Sequence, residues 1–330
     1  MTRAHGVRAH IAATLVCALA VMSCAPVATT TTATVPPPPA SATATLAATA
    51  TPGATAAKDS ASPTPRVIGK GRVEKSSFRS SALGRTMEYW IYLPGGYDAN
   101  TSARYATAYL LHGSGGFISE WADYGVFDTA DRLMASGSIP PFLIVLPEGD
   151  QEYWVDHVID KRTGANGEKW GTYTAKEVVP AIDAKYRTIP RVSARAIGGL
   201  SMGGHGAIQL SLNFPGIWGA IGAHSPALRP EGDAPTYLGF GVDFAARDPL
   251  ALIKAKPDLA RQYSWWIDAG ELDPWRQPAG LLNDALTQLG IAHSWNPNPG
   301  GHELAYWAAH MDEYVRYDAR ALCPTTPSCP

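Results

Sequence analysis

Little in this chain suits a polyanion, a metal or a redox partner. It has 27 Lys and Arg against 29 Asp and Glu over 330 residues, a formal charge of -2, and only 17% charged residues. A basic stripe able to track phosphates is absent, so no nucleic-acid partner is expected. HExxH and other spaced ligand sets are missing, as are the Walker lysine and the dinucleotide glycine fingerprint. No metal and no cofactor is therefore expected. Only four cysteines are present (Cys17, Cys24, Cys323 and Cys329), and none is left over to complete a metal or catalytic set. The one apolar stretch near the start, residues 11–22, is too short for a comfortable transmembrane helix.

What that stretch does resemble is an export signal. Arg3 and Arg8 precede the apolar run and small residues follow it. Residues 1–24 are accordingly read as a signal peptide, with two routes of processing. Ser23-Cys24-Ala25 fits cleavage after a small residue. Val21-Met22-Ser23-Cys24 fits a lipoprotein signal in which Cys24 is lipidated and tethers the protein to a membrane, although Met22 departs from the usual pattern there. Both routes place the protein outside the cytoplasm, extracellular or in the cell envelope. Residues 25–66 are dominated by Thr, Ala, Pro and Ser without periodicity, so they are expected to form a disordered linker. A tail at 323–330 holds Cys323 and Cys329 around a proline-containing turn, a spacing that suits a local disulfide in an oxidising compartment.

Between these ends, residues 67–322 read as a catalytic domain that alternates strand-like and helix-like segments. Strands are expected at 87–94, 106–113, 141–149, 194–201, 218–226, 263–271 and 292–300. Several are short continuous apolar runs, the mark of strands buried on both faces. Helices are expected at 126–135, 175–186, 205–213, 279–289 and 304–322, with Pro180 kinking or dividing the second. Such alternation predicts an α/β fold with a mostly parallel central sheet flanked by helices. Chemistry in these sheets gathers beyond the carboxyl ends of the strands.

At one such end stands Gly199-Leu200-Ser201-Met202-Gly203, a G-x-S-x-G pattern between a strand and a helix. A serine on that tight turn is exposed as a nucleophile, and the glycines let neighbouring backbone pack close. The bland reading is a glycine-rich turn with an idle serine. A nucleophilic serine needs a histidine base and an orienting carboxylate; on an α/β fold with the serine at a strand-to-helix elbow, these follow it in the order acid, then histidine. His302 lies in a Pro/Gly loop after a strand, where a mobile base would sit; His224, at a strand end, is the alternative. For the acid, Asp273 precedes Pro274 beyond a strand end, with Glu271 and Asp268 as alternatives. The stretch "YLLHGSGGF" has the form of a loop that donates a backbone N–H to an oxyanion. Ser114 is taken as that donor, with Gly113 or Gly115 as alternatives, and Met202 supplies the second N–H. Trp121, Trp154, Trp275 and Trp307 are candidate walls of a substrate pocket, beside Glu148, Tyr153 and Trp170. A buried structural role is the commoner fate of a tryptophan.

The stretches "LLHGSGG", "LPEGDQEYWVD", "GLSMGGHGAIQLSLNFPGIWGAIGAHSP", "DAGELDPW" and "GGHELAYW" together resemble the esterase D and feruloyl-esterase-like branch of the α/β hydrolases. That branch includes S-formylglutathione hydrolases and mycolyltransferases. The resemblance implies an α/β-hydrolase fold and a Ser201–His302–Asp273 triad with Ser114 and Met202 as oxyanion donors. Glu303 departs from the Asp more often found after this histidine in feruloyl esterases. The implied activity is serine-dependent hydrolysis of a small-molecule or polysaccharide-linked carboxylic ester, feruloyl or acetyl, through an acyl-enzyme. Two other readings stand beside it: acyl transfer to a sugar or lipid alcohol, and a non-catalytic envelope lipoprotein that uses the domain for binding.

Overall fold

A computed structural model describes residues 69–322. The signal segment with Cys24, the linker and the Cys323–Cys329 tail lie outside the described residues. The strands are β1 (Arg72–Arg79), β2 (Thr86–Leu93), β3 (Thr107–Leu111), β4 (Leu143–Pro147), β5 (Ile159–Asp160), β6 (Ala165–Asn166), β7 (Arg195–Leu200), β8 (Ala220–His224), β9 (Ser264–Gly270) and β10 (Ser294–Asn298). Eight of them form one sheet in the order β1-β2-β4-β3-β7-β8-β9-β10, while β5 and β6 pair as a separate hairpin. From β4 to β10 every pairing is parallel, and β1 and β2 add an antiparallel edge.

The apolar runs explain the parallel centre. Every residue of β3, β4, β7 and β8 is buried. Side chains alternate across a strand, so Tyr109 and Leu111 of β3 enter one core while Ala108 and Leu110 enter the other. Helices Met202–Asn213 and Arg276–Gln288 close the first face through Ile208, Leu282 and Leu286. Helices Val126–Ala135 and Met311–Ala321 close the second through Leu133, Met134, Tyr314 and Val315.

All seven expected strands appear, as β2, β3, β4, β7, β8, β9 and β10. Unforeseen was β1, whose sequence RVEKSSFR is mostly polar and half exposed because it forms the sheet edge. The helix expected at 175–186 begins as a π-helical segment, Tyr173–Val178, and becomes α-helical at Val179–Lys185. Pro180 sits just after the change, where its missing N–H and its ring stop the preceding turns from continuing regularly. The helix expected at 304–322 divides into Leu304–Ala309 and Met311–Ala321 at His310.

Strand order also locates the site. After β3 the chain passes to β4 on one side; β7 later takes the other side of β3. This reversal opens a crevice beyond the carboxyl ends of β3 and β7.

Candidate active site

Ser201 leaves β7 into that crevice with φ 54° and ψ -116°. An L residue in such a region stores strain of about 1–3 kcal/mol, which the surroundings must hold in place. Here the Ser201 N–H donates to the His224 carbonyl at 2.9 Å, and the Ser201 carbonyl accepts from Ala227 N–H at 2.9 Å and His205 N–H at 3.2 Å. Space explains the flanking glycines. A Cβ at 199 would run into the backbone of Gly203, and one at 203 into the backbone of Leu111 and His112.

The candidate base comes from the loop after the edge strand β10. His302 follows β10, and its Nε2 lies 2.9 Å from Ser201 Oγ. Its Nδ1 lies 3.0 Å from Asp273 Oδ2, and Asp273 Oδ1 accepts the Trp275 N–H at 2.7 Å. With the proton on Nδ1 facing the carboxylate, Nε2 is free to accept the serine proton. Asp273 is buried and His302 is partly open to solvent, the arrangement of a fixed orienting group and an accessible base. The Trp307 ring meets His302 edge-on at 4.8 Å between centroids, and Tyr124 stacks on Trp307 at 6.0 Å.

The alternative base and acid lie elsewhere. His224 Nδ1 pairs with Asp268 Oδ1 at 2.7 Å, both buried beneath the elbow. Glu271 is exposed, and its N–H joins the Asn298 carbonyl at 2.8 Å. His205, on the helix behind Ser201, is buried with its Nδ1 unpaired, and burial pushes its pKa down to about 3. A ring held neutral in that way packs against Tyr153 and has no route to the serine proton.

Donors at the crevice are sorted by what already occupies them. Gly113 N–H donates to Glu120 Oε2 at 2.6 Å, and Gly115 N–H donates to Gln151 Oε1. Both alternatives to Ser114 are thus engaged. The N–H groups of Ser114 and Met202 have no acceptor among the described residues. Met202 also opens a twelve-residue helix, so its N–H stands at a positive helix terminus.

Glu120 and Gln151 escaped the sequence reading. Glu120 takes the Gly113 N–H and, through Oε1, the Tyr124 hydroxyl at 3.1 Å; Gln151 takes the Ser114 hydroxyl at 3.0 Å. No spacing rule links them to the loop. The only signal was the glycine run itself, since a Cβ at 116 would collide with the Glu120 carboxylate.

The expectation for the tryptophans needs correction. Trp121 and Trp154 are fully buried, with their indole N–H groups donating to the carbonyls of Leu111 and His112 at 2.9 and 3.3 Å. They support the loop from beneath and present no face to a ligand. Trp170 is also buried, and Trp307 is spent on His302 and Tyr124. Trp275 alone of the four candidates is half-buried, and the Arg229 guanidinium lies 4.9 Å above its ring.

Comparison with known proteins agrees with this architecture. Residues 80–317 match the model of the Esterase family. An esterase of Mycobacterium tuberculosis is 31% identical over 259 residues, which cover 68% of this chain and 54% of that protein. An endo-1,4-beta-xylanase/feruloyl esterase of Xylanibacter ruminicola is 31% identical over 183 residues, 53% of this chain and 25% of that one. The chain thus spans about half or less of the length of these curated relatives. Among solved structures, a ferulic acid esterase superposes with a TM-score of 0.68 at 25% identity, covering 76% of this chain and 99% of its own. An S-formylglutathione hydrolase from Agrobacterium tumefaciens has a TM-score of 0.65 at 17% identity over 78% of this chain and 99% of its own. The fold is that of the α/β hydrolases.

Proposed function

The chain belongs to the Esterase family, and from that premise we propose that it is a serine carboxylic-ester hydrolase exported from the cytoplasm. One observation carries the reading: Ser201 Oγ, His302 and Asp273 form a continuous hydrogen-bonded relay of 2.9 and 3.0 Å, on a strained turn beside two unoccupied N–H groups. Ser201 Oγ attacks the ester carbonyl as its proton passes to His302 Nε2. The Ser114 and Met202 N–H groups receive the developing oxyanion. His302 returns the proton to the departing alcohol, leaving an acyl group on Ser201. Water, deprotonated by His302, attacks that acyl-enzyme; the Ser201 C–O bond then breaks as His302 returns the proton to Ser201 Oγ, and the acid is released. Asp273 keeps the imidazole in the tautomer this sequence needs.

For the acyl group we favour feruloyl or acetyl esters attached to carbohydrate. Support comes from the feruloyl esterase named among the relatives and the ferulic acid esterase among the structures. Export rests on the Arg3, Arg8 and 11–22 pattern, and a membrane tether would rest on Cys24; retention of membrane association in Cys24→Ala would remove the tether.

The experiment is hydrolysis of p-nitrophenyl acetate and methyl ferulate by the full chain, wild type beside Ser201→Ala. Turnover confined to wild type supports the reading. Equal turnover, or none together with no labelling by a fluorophosphonate, overturns it and favours a binding protein. Adding glycerol or a sugar acceptor tests acyl transfer, which predicts a new ester in place of free acid.

A further inference from the structure

The Ser114 N–H belongs to a peptide plane whose other end is held from inside the fold. Its partner in that plane is the Gly113 carbonyl, and the described residues contain no cis peptide bond. In a planar trans peptide the C=O and N–H point in opposite directions, so whatever fixes the carbonyl also aims the N–H. The Gly113 carbonyl is fixed twice. His112 Nδ1 lies 3.0 Å from it, and the Gly116 N–H donates to it at 3.2 Å. Gly113 also stands against the nucleophile, because a Cβ there would lie 2.7 Å from Leu200 Cδ1 and 3.3 Å from Ser201 Cβ.

His112 and Glu148 directly follow the neighbouring parallel strands β3 and β4, which brings them together beneath the loop. His112 is buried, too deep to touch a substrate. Its surroundings choose its protonation. Nδ1 faces a carbonyl, which can only accept, while Nε2 receives the Gly149 N–H at 3.0 Å and lies 3.2 Å from Glu148 Oε1. A proton on Nε2 alone would set a bare Nδ1 lone pair against the Gly113 carbonyl. The two remaining states, the neutral ring protonated on Nδ1 and the imidazolium, both donate to that carbonyl. Glu148 Oε1 is itself anchored by the N–H groups of Gly149 at 3.0 Å and Asp150 at 2.9 Å. Burial opposes its charge, but the hydrogen bonds from His112 and from these two N–H groups prevail and hold its carboxyl down at about 2. The Trp154 ring meets the imidazole edge-on at 5.0 Å between centroids and closes the remaining side.

We propose that His112, held by Glu148, is a positioning residue that aims and strengthens the Ser114 N–H as an oxyanion donor. The proposal rests on the ester-hydrolase reading. A carbonyl that accepts a hydrogen bond polarises its peptide and makes the N–H at the other end a better donor. A donor set in place before charge develops acts on the transition state and leaves substrate binding largely alone. Asp273 and His302 thus serve the serine proton, whereas Glu148 and His112 serve the oxygen that becomes negative.

Hydrolysis of p-nitrophenyl acetate by the full chain tests it, with wild type beside His112→Asn and His112→Gln. The Asn amide nitrogen falls where Nδ1 stands and can still donate to the Gly113 carbonyl; the Gln amide reaches past it to the place of Nε2. The expected kcat is within about threefold of wild type in His112→Asn and about tenfold to a hundredfold lower in His112→Gln, approaching the loss of a whole oxyanion donor, with KM steady within about twofold. An aryl trifluoromethyl ketone gives a second readout. Ser201 Oγ bonds to its carbonyl carbon, the serine proton passes to His302, and the carbonyl oxygen becomes an anion facing the same two N–H groups. Its affinity should fall in His112→Gln by the factor lost from kcat/KM. Thermal melts verify folding; should the amide variants unfold, His112→Leu keeps the site apolar and must show the same loss of kcat. Undiminished kcat in His112→Gln, equal losses in the Asn and Gln variants, a loss carried by KM, or unaltered ketone affinity overturns the proposal and leaves the hydrolase reading standing. A wild type inert to the ester and to a fluorophosphonate overturns both.

Discussion

His224 and Asp268 form a second histidine–carboxylate pair, 2.7 Å apart, in the interior beneath the elbow. No serine or cysteine is hydrogen-bonded to it among the described residues. Asp268 is instead filled with donors: Trp266 Nε1 at 2.9 Å, Tyr306 Oη at 3.0 Å and Tyr314 Oη at 2.8 Å, besides His224. Tyr306 precedes Trp307, which packs on His302, so the hub anchors the helix that follows the proposed base. The His224 carbonyl, in turn, holds the Ser201 N–H. A buried carboxylate satisfied by four donors holds strands and helix in one register, whereas the Asp273–His302 pair has an open end on which a proton can move.

Removing that charge should therefore cost stability first. In Asp268→Asn the amide replaces one acceptor with a donor that faces hydroxyl and indole donors. A loss of about 3–5 kcal/mol is expected, as for other broken buried charge networks. Urea denaturation measures it; a change within 1 kcal/mol would show that the hub is not the anchor described.

Ser201 should trade stability for activity. Ser201→Gly relieves the left-handed strain, so the variant should melt higher than Ser201→Ala, by about 1 kcal/mol, while both lose turnover. An Ala variant as stable as the Gly variant would mean that the turn is not strained.

Asp273→Asn should leave His302 in place but in the wrong tautomer. A fall of about 10^3–10^4-fold in kcat, with little change in KM, is expected on p-nitrophenyl acetate. A fall below tenfold would move the acid role away from Asp273.

Glu120 and Gln151 brace the loop that presents the Ser114 N–H. Gln151→Ala should free the loop and lower kcat by up to about 10^2-fold, on the scale of losing an oxyanion donor. Unaltered kcat would indicate that Gly115 and Ser114 hold their geometry alone.

Asp318 supplies a pH effect remote from the site. Burial pushes its carboxyl up to about 7 from an ordinary 3.8. Below about pH 4 it is protonated in both folded and unfolded chains and contributes nothing. As pH rises from 4 to 7 only the unfolded chain ionises it, so stability falls; above 7 the full penalty applies, up to about 4 kcal/mol. Asp318→Asn should thus gain in Tm over wild type between pH 4 and pH 8. A pH-independent difference would contradict the burial effect.

Much of this molecule was legible one residue at a time. Buried parallel strands need long apolar runs, and β3, β4, β7 and β8 announced themselves in that way. The elbow was legible because Gly199 and Gly203 are imposed by backbone contacts made within one strand–turn–helix unit. His302 and Asp273 could be proposed as base and acid because the chain order of their strands restricts where such groups can stand. Only tertiary structure decided what depends on packing between distant segments. It drew β1 into the sheet although its sequence is polar, gave Trp121 and Trp154 the buried structural role instead of that of pocket walls, and brought Glu120 and Gln151 to the Ser114 loop. It also separated two histidine–carboxylate pairs of similar composition. His224–Asp268 lies between sheet and helices with every oxygen satisfied, while His302–Asp273 stands at the sheet's carboxyl edge with one nitrogen turned to Ser201. Local sequence sets the side chain and the turn, but burial and the partner across the fold set which pair is free to act.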